Sequence, residues 1–223
     1  MATRQVDTWD DLVDGHLGEF AFLRADVVDH SRISVENPYD VMMDMLEGLE
    51  NLVEEKVIKH SGQLWTWGGD GGLASFYEGA NITGKALSAV RAAFDILDDL
   101  GPFSEMHERL LPTHDKIAMR LAVHHGTARY KQKVGRIHSG SINFVSHLEH
   151  SKTFPNSISV SHDTLVQVRS EFGDRFIPLG TFEGQRVYTS DKEKGTAATT
   201  PVDARILKGG LSLANRLRDK LGS

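Results

Sequence analysis

Two acidic residues at the ends of apolar segments give the clearest chemical signal in this sequence. Between Trp65 and Phe76, glycines flank Asp70 on both sides. Such a segment predicts a tight turn that exposes the carboxylate between two apolar runs. Asp26 ends another apolar run, residues 20–28, which predicts a buried strand. If the two strand ends converge, their carboxylates offer oxygen ligands to a hard divalent cation, which favours chemistry on phosphate groups.

These two segments resemble the catalytic domain of class III nucleotidyl cyclases, whose first strand carries an Asp and whose next hairpin carries a Gly-Asp-Gly turn. Residues 117–126 are similar to the central strand of that family, and residues 140–147 to its catalytic helix. The four motifs follow the family's order, and the resemblance covers residues 18–190. It implies an α+β fold of the ferredoxin-like (split βαβ) type, with a mostly antiparallel sheet and helices on one face.

The order of apolar and turn segments by itself also predicts an α+β sandwich. After the first strand we expect a helix, a hairpin, a second helix, two strands separated by the helix at Asn143, and a closing hairpin. Gly101 and Pro102 are expected to end the second helix. The predicted limits of these elements, without the Asn143 helix, are 37–60, 62–79, 85–100, 117–126, 158–160 and 175–188.

The two ends of the chain differ in composition from this central part. We divide the sequence into a leader (1–17), a catalytic domain (18–190), a small and polar linker (191–201) and a C-terminal amphipathic helix (202–223). An apolar stripe beside basic residues suits packing on the domain or on a partner subunit better than on a lipid surface. The stripe consists of Leu207, Leu211, Leu213, Leu217 and Leu221.

Composition limits the function classes independently of the resemblance. The chain has 223 residues, 39% of them hydrophobic, and no cysteine. One globular domain with terminal extensions is therefore expected, and disulfides, thiolate metal sites and cysteine nucleophiles are excluded. A net charge of −6 argues against nonspecific binding to nucleic acid. Without a long apolar run or a signal-peptide core, we expect a cytoplasmic bacterial protein with no stable membrane insertion.

The resemblance implies a two-metal phosphoryl transfer. Asp26 and Asp70 would bind two divalent cations per site, Mn²⁺ or Mg²⁺, with the main-chain carbonyl of Val27 as a further ligand. The cations would polarise the α-phosphate of a nucleoside triphosphate and lower the pKa of its ribose 3′-hydroxyl, which then attacks and expels pyrophosphate. The substrate phosphates would be held by the main-chain amides of Val28, Asp29, His30 and Ser31.

In the family, an Asn and an Arg on the helix after the central strand complete the site. Asn143 matches the Asn that orients the ribose, but one turn further this chain has His147 instead of Arg. A neutral imidazole is a weaker phosphate partner than a guanidinium, although Lys152 and Arg136 are basic residues nearby. In the family this helix comes from the other subunit, so the resemblance implies a head-to-tail homodimer with two shared active sites.

The residues that would read the base differ from those of adenylate cyclases in the family. Where those enzymes have a Lys four residues before the turn Asp, this chain has Thr66, and residues 133–139 contain no acid. Thr66, Arg136 and His138 offer hydrogen-bond donors to an acceptor-rich base, and the tryptophans beside Thr66 add bulk, which favours a pyrimidine. The two carbonyl acceptors of uracil favour UTP, with CTP as the close alternative.

Within the family, the chain looks most like the pyrimidine cyclases of bacterial Pycsar antiphage systems. The residues that carry this resemblance are the turn at 67–72 and the helix segment 141–149. It implies that cyclic UMP or cyclic CMP acts as a messenger for a separate effector that the chain does not contact directly.

Other interpretations stay open. An adenylate cyclase of the ordinary family is one of them. Gly68-Gly69-Asp70 is superficially similar to the turn of diguanylate cyclases, although the following Gly71-Gly72 is not. His147 in place of Arg is the best support for a catalytically inactive nucleotide-binding dimerisation module.

Overall fold

The computed structural model describes Trp9 and residues 12–77, 84–131 and 139–191. Most of the predicted leader, nearly all of the linker, the predicted C-terminal helix and Arg136 lie outside these described residues. Within them, no helix combines the length and the apolar character that crossing a membrane requires.

The strands and helices alternate along the chain in the order that the sequence predicts, with two additional helices. In order they are β1 (Leu17–Val27), α1 (His30–Glu36), α2 (Tyr39–Lys59), β2 (Gln63–Gly68), β3 (Gly71–Tyr77), α3 (Lys85–Glu108), β4 (Met119–Arg129), α4 (Gly140–Lys152), β5 (Ser157–Ser161), α5 (His162–Phe172), a 3-10 turn (Gly173–Arg175), β6 (Ile177–Phe182) and β7 (Gln185–Thr189). The additional helices are α1 and α5.

The seven strands form one sheet in the order β2-β3-β1-β4-β5-β7-β6. Neighbouring strands are antiparallel except β4 and β5, which are parallel. The predicted α+β class with a mostly antiparallel sheet is therefore confirmed. β1 lies between β3 and β4 with both faces covered, which explains why its sequence is a continuous apolar run rather than an alternating one.

Side chains of β1 alternate between two hydrophobic cores, one on each face of the sheet. Ala21, Leu23 and Ala25 belong to the larger core, to which α2, α3 and α5 contribute. Phe20 and Phe22 belong to the second core, which includes side chains of α4. α4 thus departs from the predicted arrangement with all helices on one face. It is the crossover between the parallel strands β4 and β5, and the handedness of such crossovers fixes the face on which the helix lies.

The prediction that Gly101 and Pro102 end the second helix was wrong, since α3 continues to Glu108. A proline inside a helix costs about 3 kcal/mol because it removes a hydrogen bond and crowds the preceding turn. Contacts beyond the proline offset that loss. Ser104 is buried, and its Oγ accepts a hydrogen bond from the main-chain N of Ile117 over 2.8 Å. Tertiary packing has here overridden the local signal.

Candidate active site

Asp26 and Asp70 lie at the same end of the sheet because β1 pairs with β3. Asp26 is opposite Gly71 in this antiparallel ladder, and the main-chain N of Val27 donates to the main-chain O of Asp70 over 2.9 Å. The two strand ends therefore converge. The side chain of Asp26 is 14% exposed and that of Asp70 is 38% exposed, so Asp26 is the deeper of the two acids.

The two glycines that flank Asp70 are required for different structural reasons. Gly69 has a φ of 63°, a left-handed conformation that glycine adopts without a steric penalty. Gly71 packs so closely on β1 that an added Cβ would lie 2.6 Å from the main-chain O of Ala25 and 2.9 Å from Oδ1 of Asp26. A side chain at Gly71 would therefore occupy the space beside the Asp26 carboxylate.

Asp26 belongs to a cluster of charged side chains that the sequence analysis missed. Nη2 of Arg120 donates to Oδ2 of Asp26 over 2.5 Å, and Nη2 of Arg24 lies 3.8 Å from Oδ1 of the same carboxylate. Nε of Arg120 also donates to Oε1 of Glu149 over 2.8 Å. Arg120 thus connects the acid at the end of β1 with an acid on α4.

Glu149 is the buried member of this cluster, with 3% of its surface exposed. Burial is the main cause that raises the pKa of the Glu149 carboxyl to about 7. The charge of Asp26 also raises this pKa, whereas the charges of Arg120 and Arg24 lower it. Burial therefore lets the Glu149 carboxyl keep its proton to a higher pH than an exposed glutamate does.

Strand periodicity is the signal that points to Arg24, which lies two residues before Asp26 and so shares its face of the sheet. Arg120 faces Asp26 across the β1–β4 ladder, and that register depends on tertiary pairing that the sequence alone does not give. Glu149 could be found only once the buried side of α4 was known.

His30 contacts the second acid of the site. Nδ1 of His30 lies 3.3 Å from Oδ2 of Asp70. Its other ring nitrogen, Nε2, and Oγ of Ser34 are 2.8 Å apart. The imidazole is therefore held between α1 and the β2–β3 turn, and it restricts the orientation of the Asp70 carboxylate.

The main-chain amide of Val28, which was predicted to bind phosphate, already forms a hydrogen bond within the protein. It donates to the main-chain O of Ala118 over 2.9 Å, so the prediction was wrong for this residue. Asp29 lies in the turn between β1 and α1 with a left-handed φ of 55°, and His30 and Ser31 are the first two residues of α1.

Asn143 and His147 lie on the exposed side of α4, whereas the opposite side of the helix packs into the second core. Nδ1 of His147 is 2.8 Å from Oε1 of Glu183 in the β6–β7 turn. A carboxylate therefore pairs with the imidazole that would contact substrate phosphate. Within one chain, these two side chains face away from the sheet and not toward Asp26 and Asp70.

Thr66 is exposed on β2, and its neighbouring tryptophans pack elsewhere than expected. Trp65 lies at a β-bulge and contacts Phe20 and Phe22, with ring centroids 6.2 Å apart in both pairs. Trp67 packs against the larger core on the other face. The two indoles are therefore core side chains on opposite faces of the sheet, and they do not jointly narrow a pocket around Thr66.

The donor set at this end of the sheet fits a hard divalent cation that is shared with a substrate. In the described part of the chain, no three His, Cys, Asp or Glu side chains are grouped to hold a metal ion by themselves. Asp26 and Asp70 offer carboxylate oxygens, and Oδ1 of Asp26 is not taken by the Arg120 hydrogen bond. Mg²⁺ commonly completes its coordination with waters and substrate phosphates, so two carboxylates suffice.

Solved structures of cyclase domains have the same fold as this chain. The adenylyl cyclase CyaB from P. aeruginosa gives a TM-score of 0.72 at 14% identity, over 79% of this chain and 95% of that one. The dimeric guanylyl cyclase domain of the RhoGC fusion protein from the aquatic fungus Blastocladiella emersonii gives 0.67 at 17% identity, over 80% and 97%. The adenylate/guanylate cyclase/hydrolase from Silicibacter pomeroyi gives 0.63 at 23% identity, over 79% and 98%.

No protein-family model matches the chain, and no curated protein sequence matches it. At 14% to 23% identity, structural similarity shows a shared fold. The chain therefore has the fold of adenylyl and guanylyl cyclase domains, which the order of motifs predicts.

Proposed function

We propose that this protein is a nucleotidyl cyclase that converts UTP into 3′,5′-cyclic UMP and pyrophosphate, with CTP and cyclic CMP as the close alternative. The observation that carries the proposal is the convergence of Asp26 and Asp70 at the end of the central strands, in a fold shared with cyclase domains. One structural neighbour is a guanylate cyclase domain in complex with GTP, which supports a nucleoside triphosphate as the substrate class.

Asp26, Asp70 and the carbonyl of Val27 would hold two Mn²⁺ or Mg²⁺ ions. When bound, such ions neutralise phosphate charge and lower the pKa of the attacking 3′-hydroxyl. Arg120 keeps the Asp26 carboxylate in one orientation, and His30 does the same for Asp70. Preorganised ligands of this kind reduce the rearrangement that the reaction needs.

The positive charge of Arg120 and Arg24 supports the proposal despite His147. Both guanidinium groups lie within 4 Å of Asp26, at 2.5 and 3.8 Å. Cations that bind Asp26 would compete with Arg120 and free part of its hydrogen-bonding capacity for substrate phosphates, to which arginine binds strongly. Transition-state charge would then be stabilised by residues of the β1–β4 face and not only by the residue at position 147.

A complete site would need two copies of the chain, because Asn143 and His147 face outward. We propose a head-to-tail homodimer with two shared sites. Mixing Asp70→Asn with Asn143→Ala tests this: in an equimolar mixture, half of the dimers are mixed and each has one intact site, so about a quarter of the wild-type activity should return. Recovery of no activity would contradict a shared site.

Base preference would depend on Thr66, with Arg136 and His138 as further donors. The experiment that decides it is incubation of the purified protein with Mn²⁺ and each of the four nucleoside triphosphates, followed by mass spectrometry of the products. Cyclic UMP as the main product supports the proposal. Cyclic CMP, cyclic AMP or a dinucleotide product would each overturn the choice of uracil.

The biological role that we propose is second-messenger production in bacterial antiphage defence. The resemblance of residues 67–72 and 141–149 to segments of Pycsar cyclases supports it, and the messenger would act on a separate effector. Expression with a cyclic-nucleotide-gated effector should reduce phage plaque formation, and Asp70→Asn should abolish that protection. Equal protection by the variant would refute the role.

One observation favours a second candidate, an inactive nucleotide-binding module. His147 is paired with Glu183, which offsets the positive charge that a phosphate partner needs. Nucleotide binding by calorimetry without any pyrophosphate release would select this candidate.

A further inference from the structure

Two adjoining pockets form a groove on the outer side of the C-terminal half of α3. The first has a volume of about 300 Å³ and reaches the beginning of β5 at Asn156. The second has a volume of about 380 Å³ and lies against the last turns of α3. Glu105 lines both. We call this surface the α3 groove; its central residues are Leu97, Gly101, Pro102, Glu105, Met106 and Leu110.

The groove exposes apolar side chains on a helix that is otherwise well covered. Met106 is 55% exposed and Leu110 is 59% exposed. In the N-terminal half of α3, by contrast, Phe94 stacks on Phe172 of α5, with ring centroids 5.0 Å apart. Contiguous exposed apolar surface on a folded domain often marks a binding site.

The described part of the chain ends beside this groove. The main-chain N of Ser190 donates to the main-chain O of Ile158 over 2.9 Å, and β7 runs antiparallel to β5 with Thr189 opposite Ser159. β7 therefore points its C-terminal end toward Asn156, which lines the first pocket. Whatever follows residue 191 begins at the edge of the α3 groove.

The 32 residues after position 191 combine leucines with an excess of basic residues. They include seven Lys and Arg against three Asp and Glu, while the whole chain has a net charge of −6. Charged side chains of both signs line the groove, namely Glu105, Glu108, Arg109 and Lys116. From residue 191 to Leu207, sixteen residues can span up to roughly 50 Å, so reach does not limit contact.

We propose that residues 205–221 of the same chain dock in the α3 groove. Their leucines would cover Met106 and Leu110, and their basic side chains would face Glu105 and Glu108. An apolar stripe matches the exposed apolar side chains of the groove, and attachment through a short linker raises the effective concentration of the segment at the groove.

The groove and the end of β1 are connected through the segment before β4. Lys116 and Ile117 line the first pocket. The next residue, Ala118, accepts the hydrogen bond from the amide of Val28 at the end of β1.

The absence of cysteine allows a clean test on the full-length protein. Leu110→Cys reports on the groove, and Val166→Cys on α5, where the native side chain is 58% exposed, is the matched control. We expect a thiol-specific reagent to modify the Leu110→Cys protein about tenfold more slowly than the control, as expected if the groove is covered for nine tenths of the time. Adding Leu213→Asp and Leu217→Asp should restore fast labelling at Leu110→Cys and leave the control unchanged.

A crosslinking experiment distinguishes the C-terminal segment from other possible occupants of the α3 groove. Oxidation of a Leu110→Cys, Ala214→Cys double variant should give a crosslink within one chain at monomer mass. A crosslinked dimer would show that a second copy fills the groove, and binding of the segment to vesicles of anionic lipid with fast labelling at Leu110→Cys would show a membrane role. Either result, or equal labelling rates at the two single sites, overturns the proposal.

Discussion

The stability that the buried acid Glu149 contributes should fall as the pH rises toward neutrality. Its carboxyl has an ordinary pKa of 4.5, which burial raises to about 7 in the folded protein. The folded state therefore binds the proton more tightly than the unfolded state. The stability from this proton is fully present below pH 4.5 and is lost as the pH rises through 7.

The size of this change in stability follows from the shift in the pKa of Glu149. Each pKa unit corresponds to about 1.4 kcal/mol, so a rise of this size removes about 3 kcal/mol of stability between acid and mildly alkaline pH. Glu149→Gln keeps an oxygen that accepts the hydrogen bond from Nε of Arg120 but carries no titrating proton. The variant should lose most of this pH dependence, and Asp26 still pairs with Arg120 in it.

Urea unfolding, followed by tryptophan fluorescence between pH 5 and 8.5, measures this difference. The free energy of unfolding of the wild type minus that of Glu149→Gln should decrease by about 2.5 kcal/mol over the range, because the rest of the change lies below pH 5. Glu47→Gln, at an exposed position of α2, is the control and should follow the wild type at every pH. A Glu149→Gln protein with the same pH dependence as the wild type would refute the assignment of a buried, proton-binding acid.

Three further substitutions test the candidate site. Asp70→Ala should abolish cyclic nucleotide formation without loss of the dimer in sedimentation, since a turn acid that is 38% exposed contributes little to packing; retained activity would remove the metal assignment. Gly71→Ala should destabilise the protein by about 1–3 kcal/mol in urea unfolding, because its Cβ would meet the main-chain O of Ala25, and an unchanged midpoint would contradict this close packing. His147→Arg should raise kcat about tenfold, or about 1.4 kcal/mol of transition-state stabilisation, and a lower kcat would assign the histidine a role of its own.

Local signals were sufficient for the first half of the site. Asp26 at the end of an apolar run and Asp70 between glycines are both statements about a few consecutive residues, and each depends on backbone conformation that sequence encodes directly. The convergence of the two acids, which the sequence offered only as a condition, depends on the pairing of β1 with the strand after the turn.

The charged cluster around Asp26 required information that is not local. Arg120 faces Asp26 only because β4 pairs with β1 in one register, and a shift by one residue would turn Arg120 to the other face. Glu149 reads as an ordinary helical acid in sequence, and its burial depends on which side of α4 packs on the sheet. The continuation of α3 past Pro102 has the same cause: contacts distant in sequence outweigh a local helix-ending signal.

The division of the candidate site between the strand ends and α4 has an energetic explanation. Phe144 and Leu148 of α4 are buried in the second core. Turning the exposed side of α4 toward Asp26 within one chain would expose these two side chains, and exposing a buried Phe or Leu side chain costs about 1.5–3 kcal/mol each. A second copy can present Asn143 without this loss, because the exposed side of its α4 already faces outward. In the proposed cyclase, pairing of two chains would therefore complete the site and leave both cores intact.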